Sequence, residues 1–144
     1  MKSGIEFKIV WFDQDVVELR VSASNGRFSG QVNLYLGRGR LSGTADLLKG
    51  FPSDSTDSRD VELGTFNPNH AGGGAQMHLY CLDMAGHAAV DVKLRLDTCK
   101  TMGEVGSVAL RIPVEAAAID SFAMQVRAMD EEQIGATAHL ESGD

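Results

Sequence analysis

The sequence is short of cysteine. Cys81 and Cys99 are the only two in 144 residues, too few for a disulfide framework, and they lack the CxxC spacing of a zinc or redox site. Reduced thiols of a cytoplasmic protein fit this usage, and Cys81 falls at an apolar position of a predicted strand.

A long apolar run and a basic cluster are also missing. The stretch up to Trp11 carries Lys2, Glu6 and Lys8, unlike a signal peptide or a membrane segment, so we expect a cytoplasmic protein. The formal net charge is −7 with no Lys/Arg cluster to reverse it locally, so nucleic-acid binding is not expected. The acidic surface suits a basic partner or serves solubility alone.

The remaining composition is that of an ordinary globular protein. Hydrophobic residues make up 43% and charged residues 23% of the chain, whose length suits one domain. Residues 1–144 are therefore predicted to form a single domain around one core. Both halves run through strands and then a helix, which leaves open a duplication of that unit.

The first half alternates apolar and polar residues, as a sheet with one solvated face requires. The pattern predicts three strands in a meander. Their apolar positions are Ile5, Phe7, Ile9 and Trp11, then Val17, Leu19, Val21 and Ala23, and then Phe28, Val32, Leu34 and Leu36. Asn25-Gly26 provides the reversal before the third strand, and Gly30 indicates a bulge or a close backbone approach.

The middle of the chain changes character. Apolar residues at helical spacing predict a short helix over residues 41–51, ended by Gly50 and Pro52. Residues 53–60 carry no apolar side chain and are predicted to form a mobile loop. Residues 61–66 are expected to form a short fourth strand.

The second half contains the strongest hairpin pattern, in which residues 76–81 and 88–96 alternate on either side of a turn. A further strand over residues 108–114 contains Pro113, which places this strand on an edge or ends it there. From Glu115 the period becomes helical, and residues from about 133 are predicted to be a frayed tail. The apolar stripe of this helix comprises Ile119, Phe122, Val126 and Met129.

Together these patterns predict an α+β fold. We expect an antiparallel sheet of about six or seven strands, with the C-terminal amphipathic helix packed on one face. A short helix follows strand three.

No motif indicates catalysis, a metal site or a cofactor. Gly37–Arg40 lacks the GxGxxG spacing, the acidic stretch Asp54–Ser58 lacks the EF-hand glycine and glutamate, and Gly26–Gly30 has its serine one place late for a nucleophile elbow. The four histidines form no HExxH motif. Groups that meet only in space leave no such trace, so a triad or a carboxylate pair stays open.

Candidate partner-binding residues lie on the polar faces of the predicted strands. Exposed tyrosine and histidine suit interfaces, and carboxylates on the hairpin add negative charge. These residues are Tyr35, His78, Tyr80, His87, Asp91 and Asp97. The alternative is an ordinary hairpin exterior.

Several stretches resemble a loose group of small bacterial proteins of unknown function. They are Phe28-Ser29-Gly30, residues 45–52, the Asp83–His87 turn, and Val114-Glu115 leading into Ile119–Phe122. Some of these groups, including families similar to the immunity proteins of wall-associated toxins, are suspected of neutralising polymorphic toxins. The resemblance implies recognition of a protein and carries over no functional residues.

The sequence therefore favours a non-catalytic bacterial binding protein, an immunity or accessory factor that recognises a protein partner through an acidic surface. No cofactor is expected, and a homodimer contact stays open. The alternative is an enzyme or a small-ligand carrier with a cleft between the curved sheet and the C-terminal helix. A deep pocket with convergent polar groups would favour this alternative.

Overall fold

The fold is α+β, as a computed structural model shows for residues 3–97 and 106–143. The described residues form eight strands and two helices. In chain order these are β1 (Gly4–Phe12), β2 (Val16–Ser24), β3 (Ser29–Gly37), α1 (Arg40–Leu48), β4 (Ser58–Gly64), β5 (Gly74–Cys81), β6 (His87–Arg95), β7 (Ser107–Glu115), α2 (Ala116–Ala128) and β8 (Thr137–Glu141).

The strands form two antiparallel sheets rather than one. Sheet A has the order β3-β2-β1-β8 and sheet B the order β4-β5-β6-β7. Each sheet is a meander of three consecutive strands completed by the last strand of the other half of the chain. The two halves thus repeat one order of elements and exchange their final strands.

The prediction of a single sheet of six or seven strands is wrong. The meander β1-β2-β3 and the hairpin β5-β6 are present as expected, but β4 pairs with β5 and belongs to the second sheet. The structure also differs from the frayed tail predicted from about 133, because Thr137–Glu141 pairs with β1 and buries Ala138 and Leu140. An alternation over only five residues is too short to be recognised as a strand in the sequence.

The C-terminal end of the predicted mobile loop belongs to a strand, since residues 58–60 lie in β4. Within the rest of that loop, the Asp57 carboxylate accepts a hydrogen bond from Ser53 N (2.8 Å) and pairs with Arg59 (2.8 Å). The Arg59 guanidinium also donates to the carbonyls of Leu47 and Lys49 at the end of α1. The mobility of the loop over residues 53–60 stays a prediction.

One hydrophobic core joins the inward faces of both sheets and both helices. The predicted stripe is buried, with its last residue, Met129, directly after the end of α2. Phe122 meets Phe7 of β1 edge-on with ring centroids 5.0 Å apart. The C-terminal helix therefore packs against sheet A, and it also contacts α1.

The two sheets approach each other closely where glycines replace side chains. A Cβ on Gly30 of β3 would lie 2.5 Å from Val108 Cγ1 of β7, and one on Gly73 would lie 2.1 Å from Val32 Cγ2. The close approach at Gly30 is made by side chains of the facing sheet, Val108 and Leu94, rather than by another backbone. Larger residues at these two positions would push the sheets apart.

A β-bulge breaks the alternation of β1. Its register against β2 shifts between Ile9 and Trp11, so that Trp11 pairs with Glu18 and Phe12 with Val17. Phe12 therefore packs against the core, whereas Trp11 lies on the solvent face and is 44% exposed. The expectation that Trp11 continues the inward face is wrong, because the extra residue reverses the faces beyond it.

Side chains from the helices, and a backbone N–H of the C-terminal segment, satisfy backbone groups at the sheet edges. Gln125 of α2 donates to the His139 carbonyl (3.3 Å) and accepts from the His139 N–H (2.9 Å) on β8. Arg40 of α1 donates to the Glu62 carbonyl of β4 (3.3 Å). Pro113 lies on edge strand β7, as predicted, and its carbonyl accepts from Gly143 N (2.7 Å).

Phe122→Ala is expected to lower the free energy of unfolding by about 3 to 5 kcal/mol, because it removes a fully buried ring from the contact with Phe7. Chemical denaturation measures this loss. The control is Met124→Ala on the same helix, where the side chain is 72% exposed and little change is expected. An unchanged midpoint for Phe122→Ala would exclude α2 from the core.

A circular permutant is expected to keep the fold. Ser142 N donates to Ser3 O (3.2 Å), so a short linker can join these ends, and new ends placed between the exposed Asn69 and His70 leave every strand pair intact. Circular dichroism and thermal unfolding check the result. New ends placed within β1 should instead prevent folding, because they interrupt its pairing with both β2 and β8, and equal stability of the two permutants would contradict these pairings.

Candidate functional site

The solvent face of sheet B carries a shallow groove of about 670 Å³ that crosses all four strands. Side chains alternate along a strand, so those on one face of paired strands line up in rows across the sheet. Two such rows line the groove. We call this surface the sheet B groove.

The first row runs from β4 to β7 and consists of Asp60, His78, Asp91 and Arg111, which are successive partners in register. His78 Nδ1 lies 2.7 Å from Asp60 Oδ1. Arg111 donates from Nε and Nη2 to the two oxygens of Asp91, at 2.8 and 3.2 Å. An acid alternates with a basic or imidazole group along the whole row.

Tyr80 covers one side of this row. Its ring stacks on His78 with centroids 5.3 Å apart, and its hydroxyl donates to Asp91 Oδ1 at 3.2 Å. The Arg111 guanidinium lies 5.8 Å from the Tyr80 ring centroid, within range of a cation–π contact. These contacts fix the positions of the side chains in the row.

The contacts in the row shift the pKa values of its members. The hydrogen bond from Arg111 lowers the pKa of Asp91, and the same hydrogen bond raises the pKa of Arg111. Burial raises the pKa of Tyr80, and the nearby Asp91 charge adds to this effect. Asp91 and Arg111 are thus an ion pair, and Tyr80 is a neutral hydrogen-bond donor.

The second row of the groove contains Glu62, Gln76, Lys93 and Ala109. Lys93 Nζ lies 5.9 Å from the Phe66 ring centroid. Asp60 and Glu62 make the β4 side of the groove acidic, whereas on the β6–β7 side Asp91 neutralises Arg111 and leaves the positive charge of Lys93. The Asp60 side chain at one rim is 82% exposed, and the Arg111 side chain at the opposite rim is 70% exposed.

Three of the predicted residues come together here: His78 and Asp91 line the groove, and Tyr80 lies against both of them. Tyr35 lies on the outward face of sheet A, where it pairs in register with Glu18. Asp97 is only 7% exposed, because β6 ends at Arg95 and the outward alternation does not extend to it. Asp97 therefore adds little charge to the surface, contrary to expectation.

His87 lies apart from the groove, at the start of β6. Its Nδ1 is 2.5 Å from Asp83 Oδ2 and its Nε2 is 3.7 Å from Glu115 Oε1. The hydrogen bond to Asp83 raises the pKa of His87 and lowers that of Asp83. This pair fixes the turn between β5 and β6, in which Asp83 also accepts from Ala85 N.

The described cysteine is not activated as a nucleophile. Cys81 is half-buried rather than a core position, and its sulfur lies 3.8 Å from the Asp54 carbonyl oxygen. Burial raises the pKa of its thiol, and neighbouring carboxylates raise it further. Cys99 lies outside the described residues.

A second groove, of about 770 Å³, lies between α2 and the outward side of β1 and β8. It is lined by Glu6, Ser121, Gln125 and His139 among others, and His139 Nε2 lies 3.4 Å from Glu6 Oε2. Gln125 is committed to the backbone of β8. No group of three His, Cys, Asp or Glu residues in the described ranges is arranged to hold a metal ion.

Sequence reasoning missed Asp60 and Arg111, which complete the row. Arg111 alternates with apolar neighbours in its strand, so its outward direction was readable, but its pairing with Asp91 depends on the register between β6 and β7. Asp60 lay in a stretch predicted as a loop. Both residues are recognised only from the register of the strands, which no local sequence pattern specifies.

Comparison with known proteins adds no assignment, because no family model, curated protein or solved structure matches the chain. Neither helix in the described part of the chain is long and apolar enough to cross a membrane.

Arg111→Gln is expected to raise the pKa of Asp91, because it removes the guanidinium that depresses it. NMR titration of the Asp91 carboxyl measures the change. The folded-state pKa of Asp91 lies below its unfolded value, so its contribution to stability is present above the unfolded pKa and is lost as the pH falls through the folded pKa. Urea unfolding between about pH 5 and about pH 2 should therefore show a smaller acid loss for Arg111→Gln.

The control for this titration is Arg127→Gln, which removes an arginine from a different exposed ion pair, the one with Asp46 on α1. The pKa of Asp91 should not change in that variant. An Asp91 pKa that is equal in the wild type and in Arg111→Gln would show that the pair does not persist in solution.

Proposed function

We propose that the chain is a non-catalytic, cytoplasmic binding protein of the immunity or accessory type, which recognises a basic protein partner through the sheet B groove. The observation that carries the proposal is the pre-arranged row of Asp60, His78, Asp91 and Arg111 with Tyr80 stacked beside it. Tyrosine and arginine are enriched at interface hot spots, and a groove across four strands accepts a protein segment.

The charge of the molecule supports a basic partner. The formal net charge is −7, and the loop and strand from residue 53 to residue 64 hold four carboxylates and one arginine. Asp60 and Glu62 carry this negative charge to the rim of the groove, where an approaching cation meets it first. Long-range attraction of this kind raises the rate of association more than the final affinity.

The groove itself suits recognition better than chemistry. Its carboxylate at Asp91 is held by Arg111, and the Tyr80 hydroxyl is held by Asp91, so these groups are engaged with each other. A partner can add hydrogen bonds to Asp60, Glu62 and Gln76 without breaking the existing pair. Fixed side chains of this kind reduce the entropy lost on binding.

The alternative function, a small-ligand carrier or an enzyme, rests on the groove between α2 and sheet A. Its size falls in the range of ligand sites, and it contains the His139–Glu6 pair. Gln125 and the β8 backbone satisfy each other there, so fewer polar groups converge on a ligand. This alternative ranks second.

Affinity capture from the host lysate is expected to recover a basic protein, identified by mass spectrometry and then purified. Its association rate should fall steeply as salt rises, because screening removes long-range attraction. Glu62→Lys should slow association at low salt about two- to threefold, since it reverses a charge at the groove rim.

The matched control is Asp120→Lys, an equal charge reversal on the exposed face of α2. It should leave the association rate close to that of the wild type. Equal slowing by both variants would remove the groove as the binding surface. Recovery of no protein, together with turnover of a small molecule in an activity screen, would favour the alternative function.

A further inference from the structure

Trp11 is the only tryptophan in the chain, and a backbone irregularity turns it toward solvent. Without the bulge, the alternation of Ile5, Phe7 and Ile9 would place it in the core. The bulge instead inserts Phe12 against the core and leaves Trp11 44% exposed on the outward face of sheet A. Bulges often re-aim a side chain at a functional position.

The segment before β8 holds the bulge in place. Ile9 donates to the Ala136 carbonyl (2.9 Å), and Gly135 donates to the Ile9 carbonyl (2.8 Å). Ile134, the next residue back along the chain, is 62% exposed. Two large apolar side chains, Trp11 and Ile134, are therefore exposed at adjacent segments of the same end of the molecule, and we call them the Trp11 surface.

Carboxylates surround the Trp11 surface. Glu18 lies directly opposite Trp11 on β2, and the β1–β2 turn adds Asp13 and Asp15. Arg38 donates to the Asp13 carbonyl and pairs with Glu131 (3.4 Å) and Glu132 (3.0 Å), which brings the segment after α2 to this turn. Six carboxylates thus gather at this end: Asp13, Asp15, Glu18, Asp130, Glu131 and Glu132.

Cations are fewer at this end. Arg38 is engaged by two carboxylates and by the Asp13 carbonyl. Lys8 and Arg20 lie in the next row of sheet A, and Arg20 donates to Asn33 Oδ1 (3.1 Å). The approach to Trp11 from the turn side is therefore strongly negative. An exposed indole face beside carboxylates favours a cationic side chain.

We propose that the Trp11 surface is a second binding site, which takes a lysine or arginine side chain of a basic protein segment over the indole ring. Glu18 and the carboxylates of the turn hold the neighbouring cations of that segment, and Ile134 packs against its aliphatic stems. The site lies on sheet A, so it does not depend on the sheet B groove.

The sole tryptophan allows a direct test by fluorescence. The probe is an acetylated and amidated Lys-Ala-Lys-Ala-Lys peptide, and its Glu-Ala-Glu-Ala-Glu counterpart is the negative control. Titration at low salt is expected to change the indole emission saturably with the lysine peptide and not with the glutamate peptide. No change in emission at millimolar lysine peptide would overturn the proposal.

Two variants with equal changes in net charge separate the site from general attraction. Glu18→Gln/Glu132→Gln should weaken binding of the lysine peptide about fivefold, and Glu115→Gln/Asp120→Asn, two exposed carboxylates outside both proposed binding surfaces, less than twofold. Equal weakening by both would mean that only net charge attracts the peptide. Trp11→Leu should weaken binding of the lysine peptide about threefold, because it removes the indole ring. Fluorescence anisotropy of a dye-labelled peptide measures this affinity. An unchanged affinity would also overturn the proposal.

Failure of this site and failure of the proposed function give different results. If a captured partner depends on Glu62 but the lysine peptide leaves Trp11 emission unchanged, only the Trp11 surface is excluded. If the peptide binds at Trp11 and no partner depends on Glu62, only the sheet B groove is excluded.

Discussion

The pairing of β8 with β1, and of β4 with β5, is the constraint on which the rest of the structure depends. Each half of the chain supplies a three-stranded meander, a helix and one further strand, and that strand completes the sheet of the other half. Each half therefore needs a strand from the other half to complete its four-stranded sheet. Glycines at positions 30 and 73 then let the two sheets approach closely enough to share one core.

Strand pairing also creates the two surfaces proposed for binding. On sheet B, the register places Asp60, His78, Asp91 and Arg111 in one row, although the first and the last are 51 positions apart in the chain. On sheet A, a shift of one residue in the register moves Trp11 out of the core. Both surfaces are thus consequences of how strands are aligned, and a change of register would remove either one while leaving the composition of the strands unchanged.

Local patterns in the sequence were enough to predict the α+β class, the first meander, the hairpin of β5 and β6, the short helix after β3 and the edge position of Pro113. Each of these depends on residues near one another in the chain. The partition into two sheets depends on which strands pair at long range, and local patterns do not specify this. The alternation of residues 137–141 is too short to be recognised as a strand. The candidate residues His78, Tyr80 and Asp91 were found from their type and face, whereas Arg111 and Asp60 required the register.

The side chain of Gln125 has a consequence that reaches beyond one molecule. Its amide offers the outer edge of β8 one acceptor and one donor, as the backbone of a neighbouring strand would. A sheet edge without such a partner is a template for the strand of another chain, and such templates lead to polymerisation and aggregation. Gln125 therefore occupies the two backbone groups of His139 that a strand of another chain would pair with, and movement of α2 away from β8 would expose them.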